Sequence, residues 1–130
     1  MAVRTQYLQK LDLPGREKAL SLFPTFNFYN LSRITGLRWT ADAEGSNTEL
    51  IATIEYEDDS ARKALVTLRF EGVALAILPT FRPNAFLSEL EIEDVRERQL
   101  ERVRYIAKDF DEVFEIHCHA IEITDCTQIE

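Results

Sequence analysis

The chain has 130 residues, of which 45% are hydrophobic and 29% are charged, and its formal net charge is −8. This length predicts one compact domain over residues 1–130, and the composition excludes a disordered chain. The negative charge argues against nucleic-acid binding, and no apolar run is long enough to predict a membrane-spanning helix.

The first residues predict a short N-terminal helix followed by an aromatic cluster. Val3 to Leu11 can place Tyr7, Leu8 and Leu11 on one side of a helix, and residues 16–23 can add another helical turn. The next segment, FPTFNFYN, holds four aromatic residues in eight positions. We expect these rings to close one end of the hydrophobic core, because they are too apolar to remain in water.

From Leu31 onward, apolar and polar residues alternate with a period of two, which predicts β-strands joined by turns. The clearest examples are TELIATIEYE and ALVTLRF, with turns at EGSN and EDDSARK and at Gly72. We therefore predict a mainly β fold, an antiparallel meander that forms a sandwich or a rolled sheet. If the strands pair in sequence order, Glu55 lies between two arginines on the polar face.

Residues 88–110 allow two interpretations. Ser88 and Glu91 match a capping box, and an apolar stripe is compatible with a helix around residues 93–109, which would make the fold α+β. Against a helix, Arg96 and Gln99 stand where the stripe needs apolar side chains, and both ends of the segment alternate in polarity. We favour two strands joined by a polar turn.

The stretch EIHCHAIEI brings two histidines and a cysteine together in the sequence. In a strand, Cys118 faces the core, whereas Glu115, His117 and His119 share the other face, either as zinc ligands or as solvated side chains. A cysteine nucleophile is not expected, because these histidines point away from it. The chain shows no other catalytic motif, so we assign no catalytic residue. The apolar phase slips near Ala120, which predicts a bulge or a change of sheet.

Two loops have the composition of protein-binding surfaces. The acidic loop contains Glu57, Asp58 and Asp59, which would attract a basic partner, although acidic loops are often only solvated. The proline-flanked segment PTFRPNAF contains Phe81 and Arg82, residue types of the kind that anchor interfaces. The alternative is that the loop tucks Phe81 or Phe86 into the edge of the core.

The C-terminal segment LEIEDVRERQLERVRYIAKDFDEVFEIHCHAIEI resembles the ending of small bacterial proteins of the polymorphic-toxin immunity type. The resemblance does not extend to the aromatic N-terminal segment. It implies a mostly β fold and a non-enzymatic role, and it assigns no functional residue. The matching residues are Glu93, Asp94, Arg98, Gln99, Arg104, Tyr105, Asp109, Phe114, Cys118 and residues 121–123.

We therefore predict a non-enzymatic, cytoplasmic, protein-binding domain that neutralises a basic toxin in the manner of an immunity protein. Two cysteines are too few for a disulfide framework, and the first residues lack an apolar leader, which favours the cytoplasm. The alternative is a metal-binding protein or metal-dependent enzyme that uses the His-x-His strand and zinc; otherwise no cofactor is expected. A homodimer formed by edge-strand pairing is compatible with the first hypothesis.

Overall fold

A computed structural model describes residues 3–44, 48–79, 86–95 and 103–129. These residues form a sandwich of two antiparallel sheets, which confirms the predicted mainly β fold. One short helix, α1 (Arg16–Leu20), and two 3₁₀ turns, Leu8–Lys10 and Phe28–Asn30, precede the second strand. None of the described helices has the length and apolar character needed to cross a bilayer. The described strands are β1 (Val3–Thr5), β2 (Leu31–Ala41), β3 (Thr48–Glu57), β4 (Lys63–Glu71), β5 (Leu75–Ile77), β6 (Glu91–Asp94), β7 (Tyr105–Lys108), β8 (Glu115–Cys118) and β9 (Ala120–Ile129).

The strands divide between a five-stranded sheet with the order β1-β6-β7-β8-β5 and a four-stranded sheet with the order β2-β3-β4-β9. β2, β3 and β4 pair in sequence order, as the predicted meander requires. β5 then leaves this sheet and pairs with β8 in the other one. Gly72 lies at this exit with φ +63°, a conformation that favours glycine, so the turn predicted there is confirmed.

The period-two alternation produces the core. In β4 the buried side chains are Ala64, Val66, Leu68 and Phe70, which are the residues that the pattern placed on one face. The ring of Phe70 lies 6.1 Å from the ring of Phe114, which leads into β8, measured between centroids. The inner faces of both sheets therefore contribute to one apolar core.

The aromatic segment before β2 packs into this core, as predicted. Phe23, Phe26 and Phe28 are buried, and the ring of Phe26 stacks on Tyr56 with 4.3 Å between centroids. Tyr29, the last aromatic residue of the segment, is half-buried. Its hydroxyl group reaches the five-stranded sheet, so the segment connects the two sheets.

The helix predicted for Val3 to Leu11 is wrong. β1 pairs with β6, and a single 3₁₀ turn at Leu8–Lys10 follows it. An isolated helix of this length is marginal in water, so pairing with the sheet and the burial of Leu8 and Leu11 decide the conformation. The additional helical turn predicted for residues 16–23 is present as α1.

In residues 88–110 the two-strand interpretation is correct, and the helix proposed around residues 93–109 is wrong. β6 and β7 pair as antiparallel strands, with Ile92 opposite Ala107. Both side chains are buried, which explains the alternation at the two ends of the segment. The predicted polar turn falls on residues 96–102, and most of the EGSN turn falls on residues 45–47; both ranges lie outside the described residues.

The stretch EIHCHAIEI follows the predicted parity. β8 buries Ile116 and Cys118 and turns Glu115 and His117 to the outer face. The chain then changes sheet, because β8 belongs to the five-stranded sheet and β9 to the four-stranded sheet. The change of sheet predicted near Ala120 is thus confirmed.

α1 and the turn before it cover the outer edge of β9. The backbone N–H of Ile123 donates to the carbonyl of Pro14 at 2.9 Å, and the ammonium group of Lys18 donates to the carbonyl of Thr124 at 3.1 Å. Gly15 has φ +78°, and a Cβ at this position would lie 2.0 Å from the carbonyl oxygen of Ile123. Only glycine fits this contact.

Candidate functional site

The outer face of the five-stranded sheet carries a cleft of about 410 Å³. Antiparallel register places outward side chains of neighbouring strands side by side, so two rows of residues cross the sheet. Tyr29 reaches the cleft from the segment before β2, and the loops that flank β6 and β7 complete its walls. The first row runs from β1 to β8 through Arg4, Glu93, Ile106 and His117. The second row runs from β6 to β8 through Glu91, Lys108 and Glu115.

Carboxylates dominate this cleft. Of the described residues that line it, six carry a carboxyl group, whereas the permanent cations are Arg4 and Lys108. Lys108 lies in register between Glu91 and Glu115, but its ammonium group pairs with Glu112 at 3.1 Å, which raises the pKa of Lys108. Among the described residues of the cleft, negative charge is therefore in excess. The carboxylates are Glu89, Glu91, Glu93, Asp109, Glu112 and Glu115.

Tyr29 orients one of these carboxylates. Its hydroxyl group donates to Oε2 of Glu91 at 2.5 Å, and this hydrogen bond, together with burial, raises the pKa of Tyr29 to about 12. The phenol therefore remains a donor at neutral pH. Nε of Arg4 lies 4.0 Å from Oε1 of the same carboxylate, so Glu91 is held from two sides.

Glu115 and His117, two of the predicted zinc ligands, come together on β8. Nε2 of His117 lies 2.6 Å from Oε2 of Glu115, and both side chains are largely shielded from water. His119, the third predicted ligand, is exposed beyond the end of β8, where the chain crosses to the other sheet. In the described ranges, no three histidine, cysteine, aspartate or glutamate side chains are grouped as metal ligands. Zinc binding stays a prediction.

Asp109 builds the wall of the cleft at the β7–β8 loop. Its buried carboxylate accepts hydrogen bonds from the backbone N–H groups of Val113 and Phe114 at 3.0 and 3.1 Å. A third bond comes from the N–H of Ser88 at 3.3 Å. Phe110, which follows this carboxylate in sequence, is 73% exposed at the rim of the cleft. The loop therefore presents an aromatic ring on a well-bonded backbone.

The acidic loop that the sequence singled out lies between β3 and β4, on the other sheet. The carboxylate of Asp58 accepts from the backbone N–H groups of Ser60 and Arg62 at 3.0 and 2.7 Å, so it organises the turn. Glu57 and Asp59 are exposed. None of the three loop acids lines the cleft.

Phe81 and Arg82, the other predicted binding residues, lie outside the described residues. Phe86, at the end of the same segment, forms an isolated bridge with Arg33 of β2 and is 56% exposed. Phe86 thus lies at the edge of the four-stranded sheet.

Both cysteines are free thiols. Burial raises the pKa of Cys118 to about 12 and that of Cys126 to about 11. Because the thiolate is the nucleophilic form, both side chains are weak nucleophiles at neutral pH. The histidine nearest in sequence to Cys118 on the same strand, His117, pairs with Glu115 instead.

The prediction that Glu55 lies between two arginines is wrong. Arg33 approaches it at 2.7 Å because β2 is irregular in register at this point, but the residue opposite Glu55 on β4 is Leu65. Arg69, farther along β4, is instead surrounded by carboxylates. These are Glu49 at 2.8 Å, Glu71 at 2.8 Å and Glu122 at 3.3 Å.

Sequence reasoning missed most of the cleft. The signal that could have found part of it is the segment LEIED, in which Glu91 and Glu93 alternate with Leu90 and Ile92. Strand parity places these two acids on the outer face once the segment is taken as β. No sequence pattern connects Tyr29 with Glu91, because their contact depends on how the two sheets pack.

Comparisons with protein-family models, with curated proteins and with solved structures found no match. The proposed function therefore rests on the geometry and charge of the cleft.

Proposed function

We propose that this protein binds a basic segment of another protein in the cleft on the outer face of the five-stranded sheet. The observation that carries the proposal is the excess of carboxylates around a concave space of about 410 Å³. A cleft lined by one sign of charge focuses its field and raises the local concentration of oppositely charged groups. A net charge of −8 extends this attraction beyond the cleft.

The arrangement of the acids favours lysine and arginine side chains as ligands. Glu91 and Glu115 lie on opposite sides of the Lys108 backbone, and Tyr29 and His117 hold their carboxylates in place. Each carboxylate has oxygen lone pairs left for an incoming ammonium or guanidinium group. Acceptors that are already oriented lose little conformational entropy on binding.

Apolar side chains beside the acids favour a polypeptide over a small cation. Phe110 is 73% exposed at the rim of the cleft, and Val113 in the same loop is 38% exposed. Exposed aromatic residues next to charged groups are typical anchors of protein interfaces. An inorganic cation would leave this apolar surface unused.

A basic toxin is the partner class that we include in the proposal, with this protein as its immunity-type inhibitor. Support comes from the resemblance of the C-terminal segment and from the sign of the charge in the cleft. The unbridged thiols of Cys118 and Cys126 support a cytoplasmic location.

The proposal is tested with a short synthetic peptide that alternates lysine and valine. The double variant Glu91→Gln with Glu115→Gln removes two cleft charges and keeps the hydrogen-bonding shape, so we expect peptide affinity to fall about tenfold. The matched control, Glu57→Gln with Asp59→Asn, removes two charges from the β3–β4 loop. The control should keep its affinity within about twofold and only slow association, measured by surface plasmon resonance.

Equal losses in the two double variants would mean that the peptide responds to net charge alone. That result, or the absence of any peptide binding at low salt, would contradict the proposed function.

A further inference from the structure

Part of each edge of the four-stranded sheet is bonded to a neighbouring segment. Pro14 and Lys18 bond to the backbone of β9, as described above. At the start of β2, the N–H of Leu87 donates to the carbonyl of Ser32 at 2.7 Å. Covered edges prevent unwanted pairing with other strands.

The β1 side of the five-stranded sheet is also tied to a neighbouring segment. The chain continues from β1 into Gln6, whose carbonyl accepts a hydrogen bond from the N–H of Phe28 at 2.6 Å. The N–H of Leu8 donates to the carbonyl of Phe26 at 3.2 Å. The outward side chain of β1 itself is Arg4, a cation.

β5, at the opposite edge of the same sheet, differs from these strands. Within the described residues it is the last strand of its sheet. All three of its residues are exposed, with Leu75 at 42% and Ile77 at 46%, and Leu78 follows at 37%. An edge strand with exposed apolar side chains is a template for pairing with another chain.

One acidic residue of the cleft, Glu115, lies on β8, the strand that pairs with this edge. Leu75 is in register with His117, and Ile77 is in register with Glu115. A strand added to the outer side of β5 would lie two strand spacings, about 10 Å, from β8. Lysine and arginine side chains of such a strand would cover Leu75 and Ile77 with their apolar stems and direct their charged ends toward Glu115.

We propose that the basic segment binds as an additional strand on β5, with alternating basic and apolar residues. The inference rests on the proposed function, because it uses Glu115, a carboxylate of the same cleft. Charge complementarity favours this edge, since β5 lies beside Glu115 and its own side chains are uncharged, whereas β1 carries Arg4 and β2 carries Arg33 and Arg38.

The first test is amide hydrogen exchange on the full-length protein, followed by NMR, with the alternating lysine–valine peptide as probe. Amides of β5 that face the open edge should exchange at least about tenfold more slowly with peptide bound. If the peptide binds and β5 exchange is unchanged, the proposed function stands and strand addition is refuted. If the peptide does not bind, both are refuted.

The second test leaves the protein unchanged. A peptide of the same sequence, N-methylated on the residues that would face β5, keeps every charge but cannot donate backbone hydrogen bonds. We expect its affinity to fall more than about tenfold, and equal affinity of the two peptides would overturn the inference. Protection of β5 amides that rises with protein concentration in the absence of peptide would assign the edge to a second copy of the chain, and would overturn it as well.

A pair of protein variants completes the test. Leu75→Thr with Ile77→Thr removes the apolar surface and places β-branched side chains, which suit a strand, at both positions, so affinity for the peptide should fall several-fold. Trp39→Thr, which changes a side chain that is 50% exposed on β2, is the matched control and should bind as the unmodified protein does. Equal effects of these changes would refute strand addition at β5.

Discussion

The outer faces of the two sheets carry the same kinds of charged residue and arrange them differently. On the four-stranded sheet, Arg69 has three carboxylates around it and Arg33 pairs with Glu55, while a hollow beside Glu55 measures only about 50 Å³. On the five-stranded sheet, counted over the part of the chain that the structure describes, the carboxylates outnumber the cations around a cleft of about 410 Å³. Charges that pair across neighbouring strands set register, whereas unbalanced charges in a concave site are available to a partner.

The edges of the sheets follow the same division. β9 is bonded along its edge by the segment around Gly15, whereas β5 leaves Leu75 and Ile77 in solvent. We therefore expect the five-stranded sheet to be the side that binds a partner.

The largest effect on stability is expected at the edge of β9, where the segment before α1 is bonded. Gly15→Ala places a methyl group against the carbonyl oxygen of Ile123 in a backbone conformation that favours glycine. We expect the free energy of unfolding to fall by more than about 2 kcal/mol, measured by chemical denaturation.

Gly36→Ala is the control for this substitution. A Cβ at Gly36 would lie 3.9 Å from the Cβ of Thr53, an ordinary contact, so its stability should be nearly unchanged. If Gly15→Ala lost as little unfolding free energy as Gly36→Ala, the contact between α1 and β9 would contribute little to stability.

A smaller effect is expected in the cleft, from Tyr29→Phe. The variant loses the hydrogen bond to Glu91. Because this bond is only partly buried, we expect the unfolding free energy at neutral pH to fall by about 1 kcal/mol.

The pH dependence of this variant identifies the hydrogen bond. Because folding raises the pKa of Tyr29 from 10.0 to about 12, its contribution is complete below pH 10 and is lost as the pH rises toward 12. The unmodified protein should lose this stability between those values, and Tyr29→Phe should lack that part of the slope. Parallel pH profiles of the two proteins would refute the assignment.

The smallest effect is expected on the paired outer face, from Glu55→Gln. The hydrogen bond from Arg33 lowers the pKa of Glu55, so its contribution is present above the pKa of an unfolded glutamate, about 4.3, and is lost at lower pH. The variant should melt slightly below the unmodified protein at neutral pH, by less than Tyr29→Phe does. The difference in melting temperature should disappear in acid. A difference that persists in acid would mean that packing, and not the ion pair, causes it. Asp59→Asn, in the exposed loop, is the control.

Local alternation in the sequence was sufficient to predict several strands and their buried faces. In ALVTLRF and EIHC, the buried residues are those that a period of two places together, because successive side chains of a strand emerge on opposite sides. The same argument located the change of sheet near Ala120, since a slip in phase requires the chain to reorient. These are properties of neighbouring residues, which is why the sequence reveals them.

Pairing between distant segments depended on the tertiary structure. Residues near Val3 became a strand because β6 was available as a partner. The irregular register of β2 brought Arg33 to Glu55, whereas β4 placed Leu65 opposite it. The cleft likewise combines β1, β6, β7 and β8 with Tyr29 from the segment before β2. Such contacts are set by the packing of the whole core, whose free energy is shared among residues far apart in the chain, and no local pattern records which segments will meet.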